Sequence, residues 1–426
     1  MAGMIGREHG GEGAWMSESV SAQHGELSAL HRPMRGRDPG EPHRASTPLE
    51  LLFDLCFVVA VALAADRLHH ALAEGQPQRA LPSYAMVFFA IWWAWVNFTW
   101  FASSYDNDDV PYRLATLAQI ARVLILVAGL PRAFDRGDFG VVVAGYIVLR
   151  VTMIVQWLRV AHANEGLRPV AMRYVIGISV CQIGWIARLA LPAGAASASF
   201  GLLALAEMLV PVWATRRAPS TWHPGHIAER YGLFTLIVLG ESILAATSGI
   251  QAAIDAGAAT TNLLVAAGSA LLIVFAMWWV YFGQPTEAVA PSAWSTFVWG
   301  YGHLLIFASA AAVGAGLQVN FDQNTGAISL PASAAGLALA VPVALYLCGV
   351  WALHTRASSR GLRQAAASAV VAVLVLATVV TPWPLPLIAL LLVGRVGAAL
   401  TFARHTPPIV AGAHARSGTP SEHGAA

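Results

Sequence analysis

The sequence predicts an all-α fold, a polytopic transmembrane bundle of about twelve helices. Three observations carry that prediction. Over 426 residues, 57% are hydrophobic and 11% charged, and the mean hydropathy is +0.60, which leaves too little polar surface to cover a water-soluble globule. Apolar runs of near-spanning length recur from Thr47 to about residue 405. The runs are continuous, whereas a membrane β-barrel would alternate apolar and polar residues over ten-residue strands.

Residues 1–46 are rich in Gly, Arg, His, Glu and Ser and show no apolar periodicity. They read as a disordered cytoplasmic arm without the apolar core of a cleaved signal, and 406–426 read as a matching tail. Between them, helices are expected near 48–73, 82–104, 111–131, 139–161, 170–191, 197–215, 228–251, 261–283, 294–318, 331–355, 362–379 and 384–403. Each is close to the ~20 residues that cross a hydrocarbon core. Pro382, Pro384 and Pro386 mark a loop or kink between the last two.

Every fixed positive charge is an arginine, since the chain has no lysine. Arg168 and Arg173 follow the fourth segment, Arg216 and Arg217 the sixth, and Arg356, Arg360 and Arg363 the tenth, so these loops share one face. The positive-inside rule then puts both termini in the cytoplasm of a multi-pass protein of the cell membrane; Arg132 and Arg136, after the third segment, run against it. Cys56, Cys181 and Cys348 lie in apolar runs with neither disulfide nor metal spacing and read as small buried hydrophobes.

The two halves, 47–216 and 217–405, resemble each other. Glu50-Leu-Leu-Phe-Asp-Leu-Cys-Phe-Val of the first segment aligns with Glu229-Arg-Tyr-Gly-Leu-Phe-Thr-Leu-Ile-Val of the seventh. Phe89-Ala-Ile-Trp-Trp-Ala-Trp-Val-Asn-Phe of the second aligns with Phe275-Ala-Met-Trp-Trp-Val-Tyr-Phe of the eighth. The pair Trp157 and His162 matches Trp351 and His354, and Glu207 falls opposite Arg395. Six helices per repeat keep the orientation, so the expectation is a 6+6 parallel internal repeat about an axis normal to the membrane.

Three stretches carry a family resemblance: Thr47-Pro-Leu-Glu-Leu-Leu-Phe-Asp-Leu-Cys-Phe-Val, Tyr105-Asp-Asn-Asp-Asp-Val-Pro-Tyr-Arg113, and His226-Ile-Ala-Glu-Arg-Tyr-Gly-Leu-Phe-Thr-Leu-Ile-Val-Leu-Gly-Glu-Ser242. In this order they resemble the signatures of the bacterial low temperature requirement A family, over roughly residues 46 to 405. The resemblance implies a multi-pass bacterial inner-membrane protein. It carries over no chemistry, because the family's name describes a growth phenotype.

The first signature reads physically as well. Thr47, Pro48 and Glu50 fit the N-cap, N1 and N3 positions of a capping box. Asp54 lies a turn deeper on the same face, beyond capping reach, and an ionisable group at that depth needs a partner. In the seventh segment Glu229 and Arg230 stand at the entrance and Glu241 about three turns further in. Arg122 and Arg150 are counter-charges at depth, and Asp54 or Glu241 is expected to pair with Arg122. Asp106, Asp108 and Asp109 precede Pro111, where one caps the third segment beside Arg113, or together they attract cations. His303 reads as a packing residue or a proton relay. His223, His226 and Glu229 have metal-like spacing, but Pro224 and Gly225 interrupt the helical face, and no metal or cofactor is expected. Trp92, Trp93, Trp95, Trp100, Trp278 and Trp279 read as interface or packing residues.

No phosphate loop, nucleophile elbow, zinc-protease helix or basic nucleic-acid stripe occurs. Two function classes remain. The first is a transporter or channel for an ion or small solute, using Asp54, Glu241, Glu50, Arg122, Glu229, Arg113, Asp109, His303 and His226. The Phe53-Asp54 pair also resembles the first-helix Phe-Ser-Asp motif of a potassium-channel family built from six-helix repeats, but lacks its serine and so assigns no filter. The second class is a membrane-embedded enzyme for a lipid or isoprenoid, with Glu229, Glu241, His226 and His303 as acid, base or metal groups. The expected partners are the lipid bilayer and that small solute or ion, with no nucleic acid, and the oligomeric state is left open.

Overall fold

Prolines, small polar caps and left-handed glycines cut the apolar sequence into helices. The structure, a computed structural model, describes residues 32–38, 40–41, 44–216, 221–255, 257, 261–283, 293–355 and 361–404. Most of the arm, the tail at 406–426, and Arg217, Arg356 and Arg360 lie outside them.

Helix α1 (Pro48–Ala73) starts on a complete capping box: the Glu50 amide donates to the Thr47 hydroxyl at 3.3 Å and the Thr47 amide to the Glu50 carboxylate at 2.8 Å. Gly75, at φ 72°, turns the chain back into α2 (Pro77–Tyr105), whose residues from Val87 to Val96 are all buried. Asp109 caps α3 (Val110–Ala128) by accepting from the Tyr112 amide at 2.8 Å. A short α4 (Leu130–Arg136) ends on Gly137 at φ 67°. Then come α5 (Gly140–Ala163), α6 (Arg168–Arg188) and α7 (Ala196–Thr215). The second half comprises α8 (Pro224–Asp255), α9 (Thr261–Phe282), α10 (Ala293–Thr325), α11 (Ala332–Val350), α12 (Gly361–Ala377) and α13 (Pro384–Arg404).

Eleven helices among the described residues are long and apolar enough to cross a membrane, the third span running through α3 and α4. The eleventh expected span, near 362–379, is shorter: its apolar stretch covers Ala366–Val380 and passes into a 3₁₀ turn before Pro384. Helices alternate in direction, so α1, α3, α6, α8 and α10 all begin at one end of the bundle, here the proximal end, and finish at the other, the distal end.

In the first half α1 packs on α2 and α3, α3 on α5, α5 on α6, and α6 on α7; in the second, α8 packs on α9 and α10, α10 on α11, α11 on α12, and α12 on α13. The halves meet where α1 and α2 lie against α8 and α10. One difference matters: α13 closes fully onto α9, whereas α7 touches α2 only locally. A small cavity of about 20 Å³ remains beside that looser contact, lined by Phe89, Tyr146, Trp185, Arg188 and Phe200 among others. Exposed Leu55, Ile183, Leu202, Leu264 and Val373 cover the outside of the bundle, a surface suited to lipid.

The described part of the N-terminal arm differs from the disorder expected of it. Met34 is buried, Arg37 donates its amide to Ser104 O at 3.0 Å, and Arg44 donates to the carbonyls of Ser103 and Ala102 at the end of α2. Polar side chains and backbone groups anchor this strap, which explains why apolar periodicity gave no sign of it.

Candidate functional site

Two helices bring paired residues, four apart, to the same seam at the proximal end. On α1 these are Glu50 and Asp54; on α8 they are His226 and Arg230, and the spacing of each pair places both its side chains on one helical face. All four are fully buried. His226 Nε2 lies 3.2 Å from Glu50 Oε2 and Arg230 Nη1 3.4 Å from Glu50 Oε1, while Arg230 Nη2 donates to Asp54 Oδ1. Trp95 Nε1 of α2 donates to the same Asp54 oxygen at 2.7 Å. Arg44 of the strap adds a second cation 3.6 Å from Glu50 Oε1. Two carboxylates therefore face two guanidiniums, as burial of charge requires. Asp54 Oδ2, Arg230 Nε and His226 Nδ1 are enclosed without hydrogen-bond partners, so the cluster retains capacity for further polar contacts.

The expected pairing with Arg122 is corrected: Asp54 meets Arg230, and Arg122 donates to Thr152 at 3.3 Å. Arg230, expected at the helix entrance beside Glu229, is instead fully buried; in sequence a charge in the first turns of a helix looks like a solvated residue. Glu229 itself is half-buried and accepts from the Ser46 amide at 3.3 Å. Glu241 is half-buried lower on α8, and no described group bonds to it, so it does not join Asp54. The His223 imidazole accepts from the His226 amide at 3.0 Å, capping the start of α8, while its Nε2 lies 2.8 Å from Glu41 O.

A second cluster, within the first half, centres on Glu207 near the middle of α7. Arg150 of α5 pairs with it, and Trp93, Tyr146, Gln182 and Trp185 donate to it at 3.0–3.3 Å. Glu207 thus faces Arg150 inside its own half. The indoles of α2 also depart from interface belts: Trp92, Trp93 and Trp95 are fully buried, two of them as carboxylate donors, whereas Trp278 and Trp279 are exposed on the outer surface.

Ring contacts link the seam to the second half. Trp95 packs on Tyr231 at 5.0 Å between centroids, Tyr231 on His303 at 4.9 Å, and His303 on His354 at 5.4 Å. His303 Nδ1 lies 2.8 Å from Trp299 O and its Nε2 3.1 Å from the Tyr281 hydroxyl.

In the loop between α2 and α3, Asp109 is buried and pairs with Arg159 at 2.5 Å, whereas Arg113 and Asp108 form an exposed pair at 2.6 Å. The hydrogen bond from Arg113 holds Asp108 below the usual carboxylate range. Asp106 behaves oppositely: burial, reinforced by the Glu50 charge, pushes it up to about 6.

Fold and site together define a polytopic helical membrane protein whose buried carboxylates are matched by arginines and indoles. Within that class the chain belongs to the bacterial low temperature requirement A protein (LtrA) family, which matches it over residues 45–400. It is also similar to the uncharacterized protein RA0937 of Rhizobium meliloti (strain 1021), 24% identical over 319 residues that cover 67% of this chain and 73% of that protein.

Proposed function

We propose that this protein is a transporter for an ion or small solute, with Glu50 and Asp54 as exchangeable partners of Arg230. The observation that carries the reading is the α1–α8 seam, where fully buried carboxylates of one half are held by a buried arginine of the other. Neutralising one carboxylate with a proton or a cation would weaken the attraction between the halves, the kind of differential contact that alternating access needs. The corresponding packing of helices in the two halves supports a parallel repeat with this seam near its axis. Arginines near the proximal ends of helices support a cytoplasmic position for that end.

A second reading, a membrane-embedded enzyme acting on a lipid or isoprenoid, draws on the gathering of Arg44, Glu50, His226 and Arg230 at one end of the bundle. The Glu207–Arg150 pair at mid-helix favours transport, because a site for lipid headgroups has no use for charge at that depth.

The test is ion and proton flux into liposomes holding wild type, Asp54→Asn or Glu241→Gln. Flux in wild type that falls at least tenfold in Asp54→Asn is expected; a similar fall in Glu241→Gln extends the path along α8. Equal flux in wild type and Asp54→Asn overturns the exchange at the seam, and a folded wild type silent under every gradient transfers the case to the enzyme.

A further inference from the structure

At the opposite end of α1, about 22 Å along the axis from Asp54, stands a cluster that the seam does not use. Asp66, His69 and His70 each bring a donor atom to within 4.8 Å of the other two. His70 Nε2 lies 3.4 Å from Asp66 Oδ1, and the two imidazoles are 4.8 Å apart between centroids. The third member is tied to the other half of the molecule: His69 Nε2 lies 2.6 Å from Asp322 Oδ2, in the last turn of α10.

His69 supplies an independent observation. The residue is 9% exposed, and its Nδ1 is enclosed with no hydrogen-bond partner. A buried imidazole normally uses both nitrogens. Here a carboxylate occupies one and the other is left over, on a ring whose centroid lies 4.8 Å from that of His70. That is the arrangement in which an outer carboxylate fixes the tautomer and orientation of a metal-binding histidine.

We propose that Asp66, His69 and His70 bind a divalent transition-metal ion of the zinc class at the distal end, with Asp322 as the positioning residue for His69. Two imidazoles and one carboxylate suit Zn²⁺ and leave a fourth position for water. Magnesium and calcium, which demand mostly oxygen ligands, do not fit. Asp66 and His70 are half-exposed and exposed, so their side chains can swing in to the ~2.0–2.2 Å that nitrogen and oxygen ligands adopt. The site stands whether or not the protein transports. All three ligands lie on α1, and the Asp322 bond to His69 places the site beside a contact with α10 of the second half, at the end remote from Arg230.

The test uses full-length protein purified in detergent without a histidine tag, titrated with Zn²⁺ by calorimetry and with Co²⁺ by visible absorption. Wild type, His70→Ala, Asp66→Asn and Asp322→Asn are compared. Both altered ligands lie at the surface, so these variants keep the fold, and any histidines elsewhere bind equally in all four. The expected result is one equivalent of tight binding and a four-coordinate Co²⁺ spectrum in wild type. His70→Ala and Asp66→Asn should lose both, and Asp322→Asn should bind roughly 10–100-fold more weakly. Zn²⁺ should also raise the melting temperature of wild type but not of His70→Ala. Equal affinities in wild type and His70→Ala, or a Zn²⁺ stabilisation that survives in His70→Ala, overturn the site.

Discussion

Arg230 contacts both carboxylates of α1, so its loss leaves two buried anions with the strap's Arg44 as their remaining guanidinium. Removing one partner of a buried pair costs about 3–5 kcal/mol, and Arg230→Ala should destabilise by at least that much. Adding Asp54→Asn should restore part of it, a sign that only coupled residues give in a double-mutant cycle read by thermal unfolding in detergent. Asp106 offers a different handle. Its folded pKa, about 6, lies above its ordinary 3.8, so its contribution is fully present below about 4 and lost as pH rises past 6. The melting temperature of Asp106→Asn minus that of wild type should therefore grow between pH 4 and pH 7; a flat difference contradicts the assignment. Asp54, Glu50, His226 and Asp109 were legible as candidates because carboxylates and histidines stand out in apolar sequence. Their partners were not. Arg230, Trp95 and Arg159 became partners only through helix packing, which a single sequence does not encode in its spacing.

Helices were the most legible level, since continuous apolar runs with polar caps admit few alternatives, and every expected segment corresponds to an observed helix. The shortness of the eleventh segment and the described strap before α1 were not legible, the first because prolines and a 3₁₀ turn curtail it, the second because hydrogen bonds to backbone carbonyls hold it. Close approach between helices was equally hidden. A Cβ on Gly316 of α10 would collide with the Ala338 carbonyl of α11, and one on Gly145 of α5 would sit 2.8 Å from the Leu126 amide of α3. Gly268 and Gly394 would meet nothing within 4 Å. Gly316→Ala and Gly145→Ala should each lower the melting temperature by several degrees or abolish a monodisperse elution peak, while Gly268→Ala behaves as wild type.

For the whole molecule, helix direction places the start of α1 and the end of α13 at the same end. Reporter fusions after residue 404 and in the loop between α5 and α6 should therefore give the same sidedness, and a fusion between α1 and α2 the opposite one. Cytoplasmic reporting from the first two would agree with the arginine distribution; opposite signals from them would break the twelve-helix topology. Aligned tryptophans and glutamates carry the expectation of a repeat, and the neighbours of each helix correspond between the halves. Charge placement differs between the halves: the Glu207–Arg150 pair serves the first half, and the His303, Tyr281 and His354 group serves the second. Sequence alignment equated positions, whereas each half solved its burial of polar groups separately.

The Asp54–Arg230 pair also sets a schedule for biogenesis. Its members are 176 residues apart, so at about 5–20 residues per second the ribosome needs roughly 10–35 s to deliver the arginine after the aspartate. Arg150 waits for Glu207 across only 57 residues. The first half can therefore neutralise its own charge while still emerging, but α1 must remain sheltered, by the insertion machinery or by a protonated carboxylate, until α8 is made.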